Sequence, residues 1–161
     1  METRNQKMNC KKILILVSLL VVITLGLVVM FQKAEKPTDE EAAKSTVLTY
    51  FDALNAGDEQ RLSEVCTESF MARNGVNGYT YEIVDITYEP ESPAYAVVGQ
   101  RMKWNGYEDD EWIYLQISFR AYKKEGAQVA YLEEGYLYED YGIWLLRGEK
   151  TGEWRILESG Y

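Results

Sequence analysis

Apolar positions in this chain fall into three regimes. From Ile13 to Phe31 the sequence reads ILILVSLLVVITLGLVVMF, 19 residues without a charge. From Thr38 onward apolar residues recur at helical spacing. Thr38-Asp39-Glu40-Glu41 reads as a capping box, followed by a stripe of Ala43, Val47, Tyr50, Phe51 and Leu54. Gly57 stands where a left-handed helix end is expected, and Asp58 opens a second, shorter helix with inner face Leu62, Val65 and Cys66. From Tyr79 the period becomes two, which predicts strands over 79–89, 94–104, 111–123, 141–149 and 153–159. The third alternates most clearly, with Ile113, Leu115, Ile117, Phe119 and Ala121 on one face. Trp112, Tyr114, Gln116, Ser118 and Arg120 form the other, expected to be wet or lightly covered.

Turn residues divide these segments: Asn74-Gly75, Asn77-Gly78, Pro90 with Pro93, Asn105-Gly106 leading into Glu108-Asp109-Asp110-Glu111, and Lys150-Thr151-Gly152. Residues 125–140 read either way, since Ala127 to Glu134 suits a short helix or a strand. A helix pair followed by mostly antiparallel strands predicts an α+β domain, with the helix stripe laid across a curved sheet.

The 19-residue run changes the picture of where such a domain sits. As a helix rising about 1.5 Å per residue it spans roughly 28 Å, close to the hydrocarbon thickness of a bilayer. A buried core helix would show a polar face, and this run has none. A cleaved signal peptide would have a shorter apolar region ending in small residues, whereas this one ends Val-Val-Met-Phe-Gln-Lys-Ala. No cysteine follows the run to accept a lipid. Arg4, Lys7, Lys11 and Lys12 precede it, which favours a cytoplasmic N-terminus. The predicted organisation is a basic cytoplasmic tail (1–12), a transmembrane signal anchor (13–31), a linker (32–37) and an extracytoplasmic domain (38–161). The membrane, reached through residues 13–31, is the first expected partner.

The net charge of −9 divides at the same place. From residue 37 onward there are 11 basic and 24 acidic side chains, a balance of −13. A surface so acidic, with no basic stripe, argues against nucleic acid as a partner. Cys10 and Cys66 are the two cysteines. They fall on opposite sides of the expected membrane, so Cys66 is read as a packed thiol, with intermolecular pairing as the alternative.

The stretch Val47-Leu48-Thr49-Tyr50-Phe51-Asp52-Ala53-Leu54-Asn55-Ala56-Gly57-Asp58, with Leu62 after it, resembles the opening helix pair of the nuclear-transport-factor-2-like (cystatin-like) superfamily. Trp154-Arg155-Ile156-Leu157-Glu158-Ser159-Gly160 resembles its last strand. Within that superfamily the chain is most similar to bacterial surface proteins of domain of unknown function 4829. The resemblance implies a cone-like sheet wrapped on the N-terminal helix pair, often with a pocket or a dimer face. It implies no activity, because both motifs are packing and turn signatures.

The available chemistry is narrow. The chain contains no histidine, which removes the usual neutral-pH base, a common zinc ligand and every Ser-His or Cys-His pairing. No phosphate-cradling glycine motif occurs. The contiguous carboxylates Glu108 to Glu111 lack the alternating spacing of a calcium loop and read as a solvated hairpin tip, so neither metal nor cofactor is expected. Some enzymes of the resembled superfamily pair an aspartate base with a tyrosine. On that pattern Asp85 and Tyr50 are the catalytic candidates, against the alternative that Asp85 faces solvent and Tyr50 fills the core. All 13 tyrosines and all 4 tryptophans lie beyond residue 49. Trp104, Tyr107, Trp112 and Tyr114 crowd one hairpin and are the ligand-binding candidates, although cross-strand packing also accounts for aromatic residues on strands. The sequence thus leans away from an enzyme and towards a binding or assembly module, with a homodimer or another protein as partner. A small-ligand or pocket enzyme, and a component of a secretion or conjugation complex, are the alternatives.

Overall fold

The capping box forms as read and starts helix α1 (Asp39–Ala56). Thr38 Oγ1 accepts the Glu41 N–H at 3.2 Å, and the Glu41 carboxylate accepts the Thr38 N–H at 2.8 Å. Those bonds to Thr38 favour the charged form and hold the Glu41 carboxyl below its usual range. The helix ends at Gly57 with φ +70°, where Leu54 C=O accepts from Gly57 and, at 2.8 Å, from Lys124 Nζ. Helix α2 (Glu59–Val65) is capped by Asp58, whose carboxylate accepts the Arg61 N–H at 3.0 Å. A third helix, α3 (Glu68–Asn74), precedes the sheet, where only a pair was expected. Its seven residues are too few to display an apolar period, but they place Phe70 in the core.

These coordinates are a computed structural model, which describes residues 37–74, 78–127, 131–149 and 151–160. The expected tail (1–12), anchor (13–31) and nearly all of the linker (32–37) lie outside them, as do Cys10 and the Gly75 to Asn77 turn positions. Among the described residues no helix is long and apolar enough to cross a membrane.

Four strands form one antiparallel sheet in chain order: β1 (Tyr79–Thr87), β2 (Trp112–Lys123), β3 (Leu137–Arg147) and β4 (Trp154–Gly160). The α+β class is therefore observed, with an open sheet. On its inner face Ile113, Leu115, Ile117, Phe119 and Ala121 of β2 meet the α1 stripe, joined by Ile143, Leu145, Trp154 and Ile156. Each large apolar side chain buried here contributes about 1.5–3 kcal/mol. Phe51 packs edge-on against Tyr81 at 5.3 Å, and Phe119 stacks on Tyr138 at 5.3 Å. Arg147 ties the end of β3 to the start of α1, pairing with Asp39 while its guanidinium lies 4.8 Å from the Trp154 ring.

Residues 94–104, expected as a strand, instead form helix α4 (Pro93–Trp104). Ser92 Oγ accepts the Tyr95 N–H at 3.2 Å, and Pro93 occupies the first turn, where its missing N–H is harmless. Tyr95, Val98 and Met102 make the helical stripe; alternating Ala, Tyr and Val residues had masked it. Within the ambiguous stretch, no helix forms among the described residues. Glu134 bridges to Ala121, and the Tyr79 hydroxyl accepts the N–H groups of Tyr131 and Leu132, each at 3.1 Å. β3 starts four residues before the expected boundary. The register against β2 shifts between Ile117 and Phe119, and Asp140 adopts φ +57°; this bulge breaks the period in sequence.

Both outer strands are met at one position on the edge that faces away from the sheet. The Asn55 side chain accepts the Tyr81 N–H at 2.6 Å and donates to the Tyr81 C=O at 2.8 Å. On the far side Thr67 N–H donates to Ile156 C=O at 2.9 Å, beside a parallel bridge from Cys66 to Ile156.

Candidate functional site

The face of the sheet opposite α1 carries a second, smaller core. Trp112 and Tyr114 of β2 point there, only 4% and 7% exposed, and Val98 and Met102 of α4 cover them. Trp144 and Leu146 of β3, Leu157 of β4 and Tyr107 complete the cluster. The expectation of a wet or lightly covered face is thus corrected for this half, because α4 lies across it. Tyr95 is the hinge of the packing. Its ring is tilted over Trp112 at 4.9 Å and meets Tyr114 and Tyr88 edge-on at 6.3 and 5.7 Å. Burial raises its phenol above the ordinary value, and a hydrogen bond with Tyr88 adds to the shift.

Two glycines make this closeness feasible. A Cβ on Gly99 would lie 3.3 Å from the Trp112 ring, so the helix settles directly on the indole. A Cβ on Gly142 would lie 2.6 Å from Tyr114 Cε2 and 3.0 Å from Trp144 Cη2, so Tyr114 lies across bare backbone. The C-terminal half of α4 is held by two exposed ion pairs, Arg101–Glu158 at 2.7 Å and Lys103–Asp109 at 3.1 Å. The indole N–H groups of Trp112 and Trp144 are buried with no hydrogen-bond partner among the described residues.

A groove runs along each side of α4. The larger, about 470 Å³, is lined by Tyr95, Gly99, Gln100, Lys103, Asp109 and Trp112 among others. The smaller, about 250 Å³, lies between Met102, Asn105, Tyr107, Trp144 and Leu157. Between them the outward face of α4 carries Val97 and Trp104, about two turns apart and 70% and 80% exposed. Among the described residues nothing buries either side chain.

The four aromatic candidates therefore share one region with distinct roles. Trp112 borders the larger groove, Tyr107 the smaller, Tyr114 is buried beneath α4, and Trp104 projects into solvent. They surround a helix–turn–strand junction, where a hairpin was expected. Sequence reading missed Tyr95, Val97 and Trp144. Val97 and Trp104 share a face only once residues 93–104 are helical, and the Ser92-Pro93 pair was the available signal.

Asp85 and Tyr50 are not brought together. Tyr50 is buried on α1 against Phe51 and Phe70, with ring centroids 5.0 and 5.8 Å away. Burial raises its phenol well above the ordinary value, with Cys66 and Tyr81 adding to the shift. Asp85 is exposed, opposite Ser118 on the other face, and accepts the N–H of Ile86 at 2.9 Å. Simple alternation puts Asp85 on the face opposite both Val84 and Ile86. A bulge between Ile83 and Asp85 instead leaves both Val84 and Asp85 exposed, with Ile83 and Ile86 against the core. An aspartate base acting with Tyr50 thus has no geometric basis. Cys66 is a buried free thiol, raised by burial to about 12 and so poorly ionised at neutral pH. Glu108, Asp109 and Asp110 are exposed as expected of a solvated turn. Among the described residues no acidic, cysteine or histidine group is placed to hold a metal ion.

Compared with known proteins, the chain matches no family model and no curated sequence.

Proposed function

We propose that residues 38–161 are a non-enzymatic binding or assembly module, held outside the cell membrane by the 13–31 anchor, with α4 as its recognition surface. The observation that carries this reading is the pair Val97 and Trp104. They stand exposed on a helix flanked by two grooves, on a face built from aromatic residues. Tryptophan and other aromatic residues are enriched at recognition surfaces, where a rigid apolar body loses little entropy on binding. The separation of Asp85 from Tyr50 supports a binding role over the pocket enzyme. The same proposal takes the fold as nuclear-transport-factor-2-like, a reading supported by the α1–α2 pair leading into an antiparallel sheet.

Photo-crosslinking in intact cells tests the surface. A photoreactive residue at position 104 is expected to give discrete adducts that one at Asp52, exposed on α1, does not. Equal adducts from both positions, or none from 104, would overturn the assignment. Protease added to intact cells after removal of any outer barrier checks the topology: the domain is expected to be digested, and protection would place it inside.

A further inference from the structure

The charges around α4 specify the partner further. Both basic side chains of the helix are already used, Arg101 by Glu158 and Lys103 by Asp109. At its N-terminal end stand Glu89 and Glu91, and just beyond its C-terminal end Glu108 and Asp110. All four are exposed, and none makes an ion pair with a described residue. Between these ends runs the outward stripe of Pro93, Val97, Gln100 and Trp104, about 16 Å long at 1.5 Å per residue. The surface is a mostly apolar strip interrupted by Gln100, with a pair of carboxylates at each end that no described cation pairs.

We propose that this surface docks a peptide segment of a partner protein that is apolar in the middle and carries lysine or arginine at both ends. The inference rests on α4 being the recognition surface. Complementarity requires both parts. The apolar centre of the segment would cover Val97 and Trp104 and enter the flanking grooves. Its cationic ends would meet Glu89 with Glu91 and Glu108 with Asp110, fixing register and excluding acidic competitors. A uniformly basic chain would satisfy the carboxylates but leave the strip uncovered. A nucleic acid would satisfy neither, and an anionic lipid surface would be repelled by the same four groups.

The test uses the full chain in detergent micelles and three synthetic peptides of 16 residues: a leucine-rich centre with two lysines at each end, the same peptide with glutamates at the ends, and an all-lysine control. Binding is read by the fluorescence anisotropy of a dye carried on each peptide, and the site by hydrogen exchange. The lysine-flanked peptide is expected to protect residues 93–111 and to bind about tenfold or more tightly than either control. Each exposed ion pair contributes little, but four act together. Trp104→Ala and the combined E89Q, E91Q, E108Q and D110N variant are each expected to lose most of that advantage while unfolding at the parent temperature. Equal binding of the all-lysine peptide, tighter binding of the glutamate-flanked one, protection outside 93–111, or no binding would overturn the proposal. Specific crosslinking from position 104 alongside such a failure would leave the surface standing and refute only this partner class.

Discussion

Gly142 provides a sharp test of how the outer core is built. It lies in the middle of β3, and its φ is not among the positive values, so alanine suits the backbone. The obstacle is lateral, since the new Cβ would stand 2.6 and 2.8 Å from Tyr114 Cε2 and Oη and 3.0 Å from Trp144 Cη2. Relief requires Tyr114 to leave its place beside Tyr95 and Trp144, which lie 6.3 and 5.1 Å away. Overpacking of this kind costs about 1–3 kcal/mol, and the lost freedom of the unfolded chain returns about 0.4–1 kcal/mol. The expected net is about 1–2 kcal/mol destabilising for Gly142→Ala. For a domain near 125 residues that is a fall of about 4–8 °C in Tm. Thermal unfolding of the full chain, followed by near-ultraviolet circular dichroism, reads it. In a Tyr114→Leu background the same change is expected to cost much less, because the two closest obstructing atoms are gone and only Trp144 Cη2 at 3.0 Å still crowds the new Cβ. An unchanged or higher Tm for Gly142→Ala in the parent chain would refute the packing described for this face.

Asn55→Ala leaves the Tyr81 N–H and C=O without their partner and is expected to cost about 1–3 kcal/mol, read as a lower urea midpoint with faster exchange at Tyr81. Burial lifts the Cys66 thiol from 9.0 to about 12 and moves Tyr50 upward too. Both groups are kept protonated by the fold, so stability is full below about pH 9 and declines as pH rises towards 12, because the unfolded chain ionises first. Urea titrations at rising pH check this, and Cys66→Ala is expected to flatten the decline; a midpoint that holds constant above pH 9 would contradict it. Helix α4 buries only Val98 and Met102 in a cluster separate from the main core. Its amides are therefore expected to exchange faster than those of α1, and equal protection would show that the two layers open together.

The parts of this fold legible in sequence are those where several local signals agree. Thr38, Glu41, the α1 stripe and Gly57 all specify one helix, and β2 alternates without interruption across Ile113 to Ala121. Helix α4 was hidden because Ala94 to Trp104 offers apolar residues at both periods, and its covering role depends on a sheet assembled elsewhere in the chain. Bulges defeated alternation at Asp85 and at Asp140, since one extra residue reverses every face assignment beyond it. The site was legible only in part. Trp104, Tyr107, Trp112 and Tyr114 are near neighbours in sequence, whereas Tyr95, Trp144 and Leu157 reach them through tertiary contacts.

The side-chain amide at Tyr81 and the backbone N–H of Thr67 at Ile156 also govern how copies of this domain can meet. An incoming strand extends a sheet by pairing with the free backbone of an edge, the usual route to fibrils and to recognition by strand addition. Here each edge is engaged locally from within the same molecule, at Tyr81 on β1 and at Ile156 on β4, and β1 carries a bulge between Ile83 and Asp85. Strand addition at those two positions would first have to displace Asn55 or Thr67. Contacts made through side chains, on surfaces such as the outward stripe of α4, meet no such obstacle.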